Sequence, residues 1–269
     1  MSTPLRRIGL AIISFGFDPR RMVYSAKYLI HYLYDIIRWT AIVSREDNKL
    51  FPFKLSPILA DANMPSGVAV GHYFHQDLWA ARLVYSSNPI RHIDVGSRID
   101  GFVAHLLCFR NVEVLDIRDL NSAIKGLSFK KADLMATMPL DIEPSDSVSC
   151  LHALEHFGLG RYGDPIDPGG WRKGLLRLSE MVAVGGLLYL SVPIGNPRVE
   201  FNAHRIFAPS HIPNEAFLLG LELLSFSYVD DNGELNDNVD LSTGFSSIES
   251  KQMNWGCGFY LFRKSLEAN

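Results

Sequence analysis

The chain has 269 residues, 47% hydrophobic and 20% charged, a balance that suits a globular protein with a sizeable apolar core. Its formal net charge of −3 gives no overall basicity that would advertise nucleic acid or an anionic membrane as a partner. Cys108, Cys150 and Cys257 are odd in number and widely spaced, which supplies neither a disulfide framework nor a paired zinc spacing and suits a reducing, cytoplasmic compartment.

At the N-terminus, Arg6-Arg7 followed by the apolar run Ile8 to Phe17 has the outline of a short signal peptide, but no Ala-x-Ala-like cleavage site follows. From Pro19 to Val43, the residues Val23, Ala26, Leu29, Ile30, Leu33 and Ile37 recur at three- and four-residue spacing and predict one amphipathic helix with a packed face. The stretch Tyr28 to Val43 is too short, and too interrupted by His31, Asp35 and Arg38, to span a bilayer. Ser44 to Leu50 is polar, and Phe51 to Gly71, with its prolines and glycines, reads as a connecting loop. The expected organisation is therefore an N-terminal helical extension, 1–71, before a main domain, 72–269. Gly71 to Asp77 is expected to be either a lid over a ligand or a packing helix.

Short strand-like runs then alternate with helical stretches: Ile90–Val95, Val112–Asp116, Ala132–Met135, Ser147–Leu151 and Leu187–Val192. That alternation predicts an α/β domain with a parallel sheet. Leu223–Val229 and Gly258–Arg263 are separated by the polar segment Asp230 to Asn254 with no crossover helix, so they are expected to be antiparallel neighbours.

The chemistry-bearing residues cluster at the ends of these strands. Asp94-Val95-Gly96-Ser97-Arg98-Ile99-Asp100-Gly101 ends the first strand and turns into a helix through Val103, Leu106 and Leu107. A glycine there lets the backbone approach a ligand, and the helix start offers free N–H groups, although a plain strand-to-helix turn has the same pattern. Asp116 ends the second strand, where an acid either accepts hydrogen bonds from both ribose hydroxyls of a nucleotide or caps the next helix. Asp133 follows the third, as an acceptor for an adenine amino group or an exposed turn residue.

His152-Ala153-Leu154-Glu155-His156 also fits the H-x-x-E-H pattern of inverted zinc proteases. That chemistry needs the five residues on one regular helix, and here they follow a strand directly. A nicotinamide-dependent oxidoreductase would use Gly96 and Asp116 in a similar way, but the G-x-G-x-x-G loop is absent. A non-catalytic Rossmann-like binding or scaffold protein is the remaining alternative.

The run from Asp146 to His156 reads D-x-V-x-x-x-x-x-L-E-H, and Val184-Gly185-Gly186-Leu187-Leu188-Tyr189-Leu190-Ser191-Val192-Pro193 follows it. With Asp94–Gly101 and Asp116, this ordered set resembles class I S-adenosylmethionine-dependent methyltransferases of the ubiquinone-biosynthesis O-methyltransferase type, over roughly residues 90 to 195. Glu155 to Asp164 also resembles a smaller methyltransferase-like family, some members of which are associated with bacterial surface-polysaccharide genes. The resemblance implies a Rossmann-like, seven-stranded, mostly parallel sheet with an antiparallel last strand, and S-adenosylmethionine as cofactor. The implied cofactor-binding residues are Asp94, Gly96, Ser97, Gly101, Asp116, Asp133, Leu151 and His152, with the Cys150 and Leu151 backbone facing the methionine amine and His152 near the sulfonium.

The reaction implied is O-methylation of a sugar or other small polar acceptor, with His156 and His204 as candidate bases because histidine titrates near neutrality. Arg161, Tyr162, Asp164 and Asp167 either meet a polyhydroxylated acceptor or belong to an ordinary structured loop. A divalent cation beside His152, Glu155 and His156 is a further possibility in relatives with the L-E-H motif. The chain departs from the family where Ser97 and Arg98 stand in place of a nearby second glycine. Arg98 either pairs with the methionine carboxylate or faces solvent.

Overall fold

The computed structural model describes residue 9 and residues 12–61, 64–121, 123–136, 141–242, 244–249 and 251–265. Arg6, Arg7, Ile8 and residues 10 and 11 of the leader-like run lie outside the described residues. The chain divides into two compact units, Met1–Val68 and Ala69–Asn269.

The first unit contains α1 (Pro19–Ile42) and α2 (Arg45–Leu50). Asp18 starts α1 as a side-chain cap, accepting hydrogen bonds from the N–H groups of Arg20 and Arg21 at 3.0 and 3.1 Å, and Pro19 sits at the first helical position. The predicted helix therefore forms, but no residue of it is buried, and Val23 is 72% exposed. The apolar stripe is real while the packed face is not. Residues 12–14 are helical as well, and α2 is short with no buried residue.

The second unit begins with α3 (His72–Ser87) and β1 (Ile93–Val95), then a π-helical turn (Ile99–Val103) running into α4 (Ala104–Leu107). It continues through β2 (Val112–Asp116), β3 (Leu127–Lys131), β4 (Ser145–Leu151), a 3-10 turn (Leu154–His156), α5 (Gly170–Met181) and β5 (Val182–Ile194). After these come β6 (Arg198–Glu200), β7 (His204–Ile206), α6 (His211–Leu218), β8 (Leu221–Val229), β9 (Leu235–Asn236), α7 (Ser246–Glu249) and β10 (Gly256–Lys264). Among the described residues no helix is long and apolar enough to cross a membrane.

The main sheet runs β3-β2-β1-β4-β5-β10-β8-β9. The first five strands are parallel, and β10 is antiparallel to both β5 and β8, as the missing crossover helix predicted. The two-residue β9 adds an eighth strand to the expected seven, within the polar segment read as irregular. The third strand is Leu127–Lys131 rather than Ala132–Met135. It is an edge strand with alternating exposure, and its Ser128, Lys130 and Lys131 hide it from a search for apolar runs.

Helices cover both faces. One core packs Phe102, Val103 and Leu106 with Ala80 and Val84 of α3 against Val114, Leu151 and Tyr189; the other packs Trp171, Leu175 and Leu178 of α5 and Ile212 of α6 against Val148, Leu188 and Leu190. Strand order reverses between β1 and β4, so their following loops diverge and leave a crevice at the carboxyl ends of the strands.

Period-two alternation also lines up a buried polar row beneath the first core. The His92 ring lies 2.7 Å from Ser147 Oγ through Nδ1 and 3.0 Å from Ser149 Oγ through Nε2. Burial lowers its pKa to about 3. An unfolded histidine titrates near 6.5, so the neutral ring contributes stability that is complete above that pH and lost as pH falls toward 3. Urea unfolding of the wild type should therefore lose stability more steeply on acidification through this window than His92→Gln; parallel pH profiles would contradict the assignment.

Candidate functional site

The loop after β1 is fixed by a buried carboxylate. Asp94 accepts hydrogen bonds from Ser97 Oγ at 2.6 Å, Ser149 Oγ at 2.6 Å and the Ser97 N–H at 3.1 Å. Ser97 Oγ in turn accepts the Leu151 N–H at 3.1 Å, which ties the end of β1 to the end of β4. Burial raises the Asp94 pKa to about 6 against these donors. Ser97 thus acts as a latch between two strand ends.

Gly96 follows with φ +70°, and a Cβ there would lie 2.9 Å from Ala153 Cβ. Only glycine meets both the left-handed backbone and the close approach. Gly101 serves a different contact, since a Cβ on it would lie 2.5 Å from Asp77 Oδ2 of α3. Gly71–Asp77 is the start of a packing helix, with Gln76 and Asp77 buried.

A cleft opens beside Gly96, lined by Leu115, Asp116, Ile117, Ala132, Asp133, Leu134, Met135, His152, Ala153 and His156. Its walls are mainly apolar, with a carboxylate after each of β2 and β3. Asp116 is held by Arg118, whose Nε lies 3.0 Å from Oδ1 and whose second guanidinium nitrogen lies 2.6 Å from Oδ2. The same guanidinium sits 4.5 Å from the Tyr162 ring centroid. Asp133 accepts the Met135 N–H at 2.8 Å through Oδ1.

A second, polar cleft adjoins the first, sharing Gly96, Arg118, His152, His156 and Tyr162 and adding Tyr73, Arg98, Leu151, Glu155, Arg161, His204 and Trp255. Gly96, Asp116, Asp133 and His152 thus line the first cleft and Leu151 the second, while Asp94 is fully buried, Ser97 lines a separate pocket with Asp100 and Arg118, and Gly101 lies against α3. Arg98 pairs with Asp100 at 3.0 Å, and its guanidinium lies 5.0 Å from the ring centroid of Tyr73 at the edge of the second cleft.

Both candidate bases border the second cleft. His156 Nδ1 lies 2.7 Å from the Ala203 carbonyl, which takes the Nδ1 proton and leaves Nε2 as a lone-pair site. Burial lowers its pKa, against the opposing Glu155 charge. His204 stacks on Trp255, with ring centroids 5.9 Å apart, and burial lowers its pKa as well. His152 has φ +51° and donates through Nδ1 to Glu155 at 2.6 Å. Leu154–His156 is a single 3-10 turn, so the H-x-x-E-H residues do not lie on one regular helix.

In the segment 158–170, Asp164 accepts the N–H groups of Gly158, Gly160 and Tyr162, and Asp167 bonds the Gly169 N–H and Lys173. These two acids hold the loop, while Arg161 and Tyr162 reach the second cleft. Arg118 and Trp255 line the site without belonging to any motif of the sequence. Arg118, two residues after Asp116, was the one that local spacing signalled.

The family model described as "Caenorhabditis protein of unknown function, DUF268" matches residues 104–254, more than half of the chain. No curated protein matches the chain. Among solved structures, the [4+2]-cyclase SpnF is similar with a TM-score of 0.52 at 11% identity, covering 76% of this chain and 90% of that one. At that identity the likeness shows a shared fold.

Two further similar structures are the N-methyltransferase NodS from Bradyrhizobium japonicum WM9 in complex with S-adenosyl-L-homocysteine and the 1,6-didemethyltoxoflavin-N1-methyltransferase from Burkholderia thailandensis. NodS has a TM-score of 0.48 at 13% identity, covering 72% of this chain and 88% of that one. The Burkholderia enzyme has a TM-score of 0.49 at 14% identity, covering 71% and 78%.

Gly96→Ala should cost about 1 to 3 kcal/mol, from the left-handed backbone and the contact with Ala153. Denaturant unfolding measures this, and a variant as stable as the wild type would show that the loop tolerates a side chain.

Proposed function

The chain belongs to the DUF268 family, whose description names no reaction, and we propose that it is an S-adenosylmethionine-dependent methyltransferase acting on an oxygen of a sugar or other small polar acceptor. The observation that carries this reading is the pair of clefts meeting at Gly96, His152 and His156. One is apolar with carboxylates at two strand ends, as adenosine requires; the other is rich in arginine and histidine, as a polar acceptor requires.

In this reading the adenine lies between Ile117 and Leu134 with Asp133 as its acceptor. The ribose hydroxyls take over Asp116 from Arg118, and the methionine end passes Gly96 toward the Leu151 backbone and His152. The neutral Nε2 of His156 takes the acceptor proton, and His204 is the second candidate. Methyl transfer is an in-line displacement, so alignment of acceptor and sulfonium across the junction is the main task. Residues 72–269 would form the catalytic domain and 1–71 its helical extension.

Calorimetric titration tests the cofactor. The reading expects S-adenosylhomocysteine to bind one per chain and NAD not to bind. Asp116→Ala should weaken the adenosyl compound by about 10- to 100-fold, the worth of hydrogen bonds to a charged group. Silence with both S-adenosylmethionine and S-adenosylhomocysteine would leave the scaffold alternative, and NAD binding the oxidoreductase one.

Mass analysis of products from candidate glycans tests the acceptor, and a methyl group on nitrogen would exclude the oxygen assignment. The rate should be level above pH 6.5 and fall below it with a single proton whose midpoint lies under the ordinary histidine value, because burial lowers the His156 pKa. His156→Ala should lose about 10²- to 10⁴-fold in kcat and abolish that limb of the profile. A profile that keeps the limb in the variant would move the base elsewhere.

A further inference from the structure

We infer that His72, His152 and Cys257 form a binding site for one zinc-class divalent ion. The three come from separate parts of the fold: the first residue of α3, the residue after β4, and the second residue of β10. His72 Nδ1 lies 3.2 Å from His152 Nε2, Cys257 Sγ lies 3.4 Å from the same nitrogen, and all three atoms fall within 4.8 Å of one another. Tetrahedral zinc with its usual bond lengths sets N···N at about 3.3 Å and N···S at about 3.6 Å. The two shorter contacts match those edges.

The surrounding bonds prepare both rings as ligands. Glu155 accepts a hydrogen bond from His152 Nδ1–H, so Nε2 is the ring nitrogen that faces His72 and Cys257, as in the carboxylate–histidine arrangement behind metal ligands. The other side of the His72 ring bonds the Trp255 backbone, which fixes the ring's orientation.

Glu155 adds a second observation. It is fully buried, and its Oε2 has no hydrogen-bond partner. A divalent ion on the far side of His152 would balance that carboxylate.

A Cys257–His152–Glu155 nucleophile would use the same distances, but Cys257 has no exposed surface through which an electrophile could reach it. It would also have no use for His72. The donor set of two imidazoles and one thiolate suits zinc and cobalt(II) better than magnesium or calcium. One tetrahedral position is left for water or an acceptor oxygen. This site does not depend on the methyl-transfer reading, although His152 borders both clefts.

The test uses the full chain, stripped with a chelator and titrated with cobalt(II) or zinc alone, without any adenosyl compound, so that its failure is separate from failure of the cofactor reading. The expected result is one ion per chain, tetrahedral cobalt d–d bands, and a thiolate-to-cobalt charge-transfer band that zinc abolishes. His72→Ala and Cys257→Ser should each lose that band, Cys108→Ser should keep it, and Glu155→Gln should weaken zinc by about 10- to 100-fold. Circular dichroism of the metal-free variants checks folding, and if Cys257→Ser does not fold, the wild type and His72→Ala decide. Less than one ion per chain, octahedral cobalt, or a charge-transfer band that survives His72→Ala would overturn the site.

Discussion

The architecture of the site depends on one buried carboxylate. Asp94 has no exposed surface, and an ionised group in such a place persists only when its lone pairs are satisfied. Two serine hydroxyls and one backbone N–H satisfy it, and the Ser97 hydroxyl passes the connection on to the Leu151 N–H. The loops that follow β1 and β4 are thereby fixed relative to each other where the sheet order reverses. Both clefts take their shape from those loops. The donors offset the cost of burial in part, and the Asp94 pKa still rises to about 6.

A second buried charge secures the other side of the site. Arg205, 6% exposed, donates to the carbonyls of Glu155, Phe157, Asp167 and Pro168. Arginine suits this work because its planar guanidinium presents several fixed donors and keeps its charge. It binds β7 to the turn carrying Glu155 and His156 and to the end of the loop carrying Arg161 and Tyr162. With Asp164 gathering three N–H groups of the same loop, the wall between the clefts is held by buried polar contacts. The histidines border the clefts from a rigid frame.

Sequence patterning exposed the parts of this design that are local. Buried parallel strands read as apolar runs, which located β1, β2, β4 and β5 within a few residues and placed Gly96, Asp116 and His152 at strand ends. The edge strand β3 escaped because solvent on one side lets it carry serine and lysine. The α1 stripe was legible as a helix, but periodicity records only where apolar residues lie on a surface, and not what covers them. Ser97 read as a departure from a family pattern, and its role as a latch depended on Leu151 and Ser149, more than fifty positions away. The meeting of His72, His152 and Cys257 was hidden for the same reason, since separations of 80 and 105 residues leave no spacing to recognise.

The central claim is that the apolar cleft beside Gly96 holds an adenosyl cofactor, and the most direct test is a crystal structure grown with saturating S-adenosylhomocysteine. The account predicts the ribose hydroxyls on Asp116 in place of Arg118, the adenine against Leu134 beside Asp133, and the homocysteine end passing Gly96 toward Leu151 and His152. An empty cleft with Arg118 still closed on Asp116, or the ligand bound elsewhere, would contradict it.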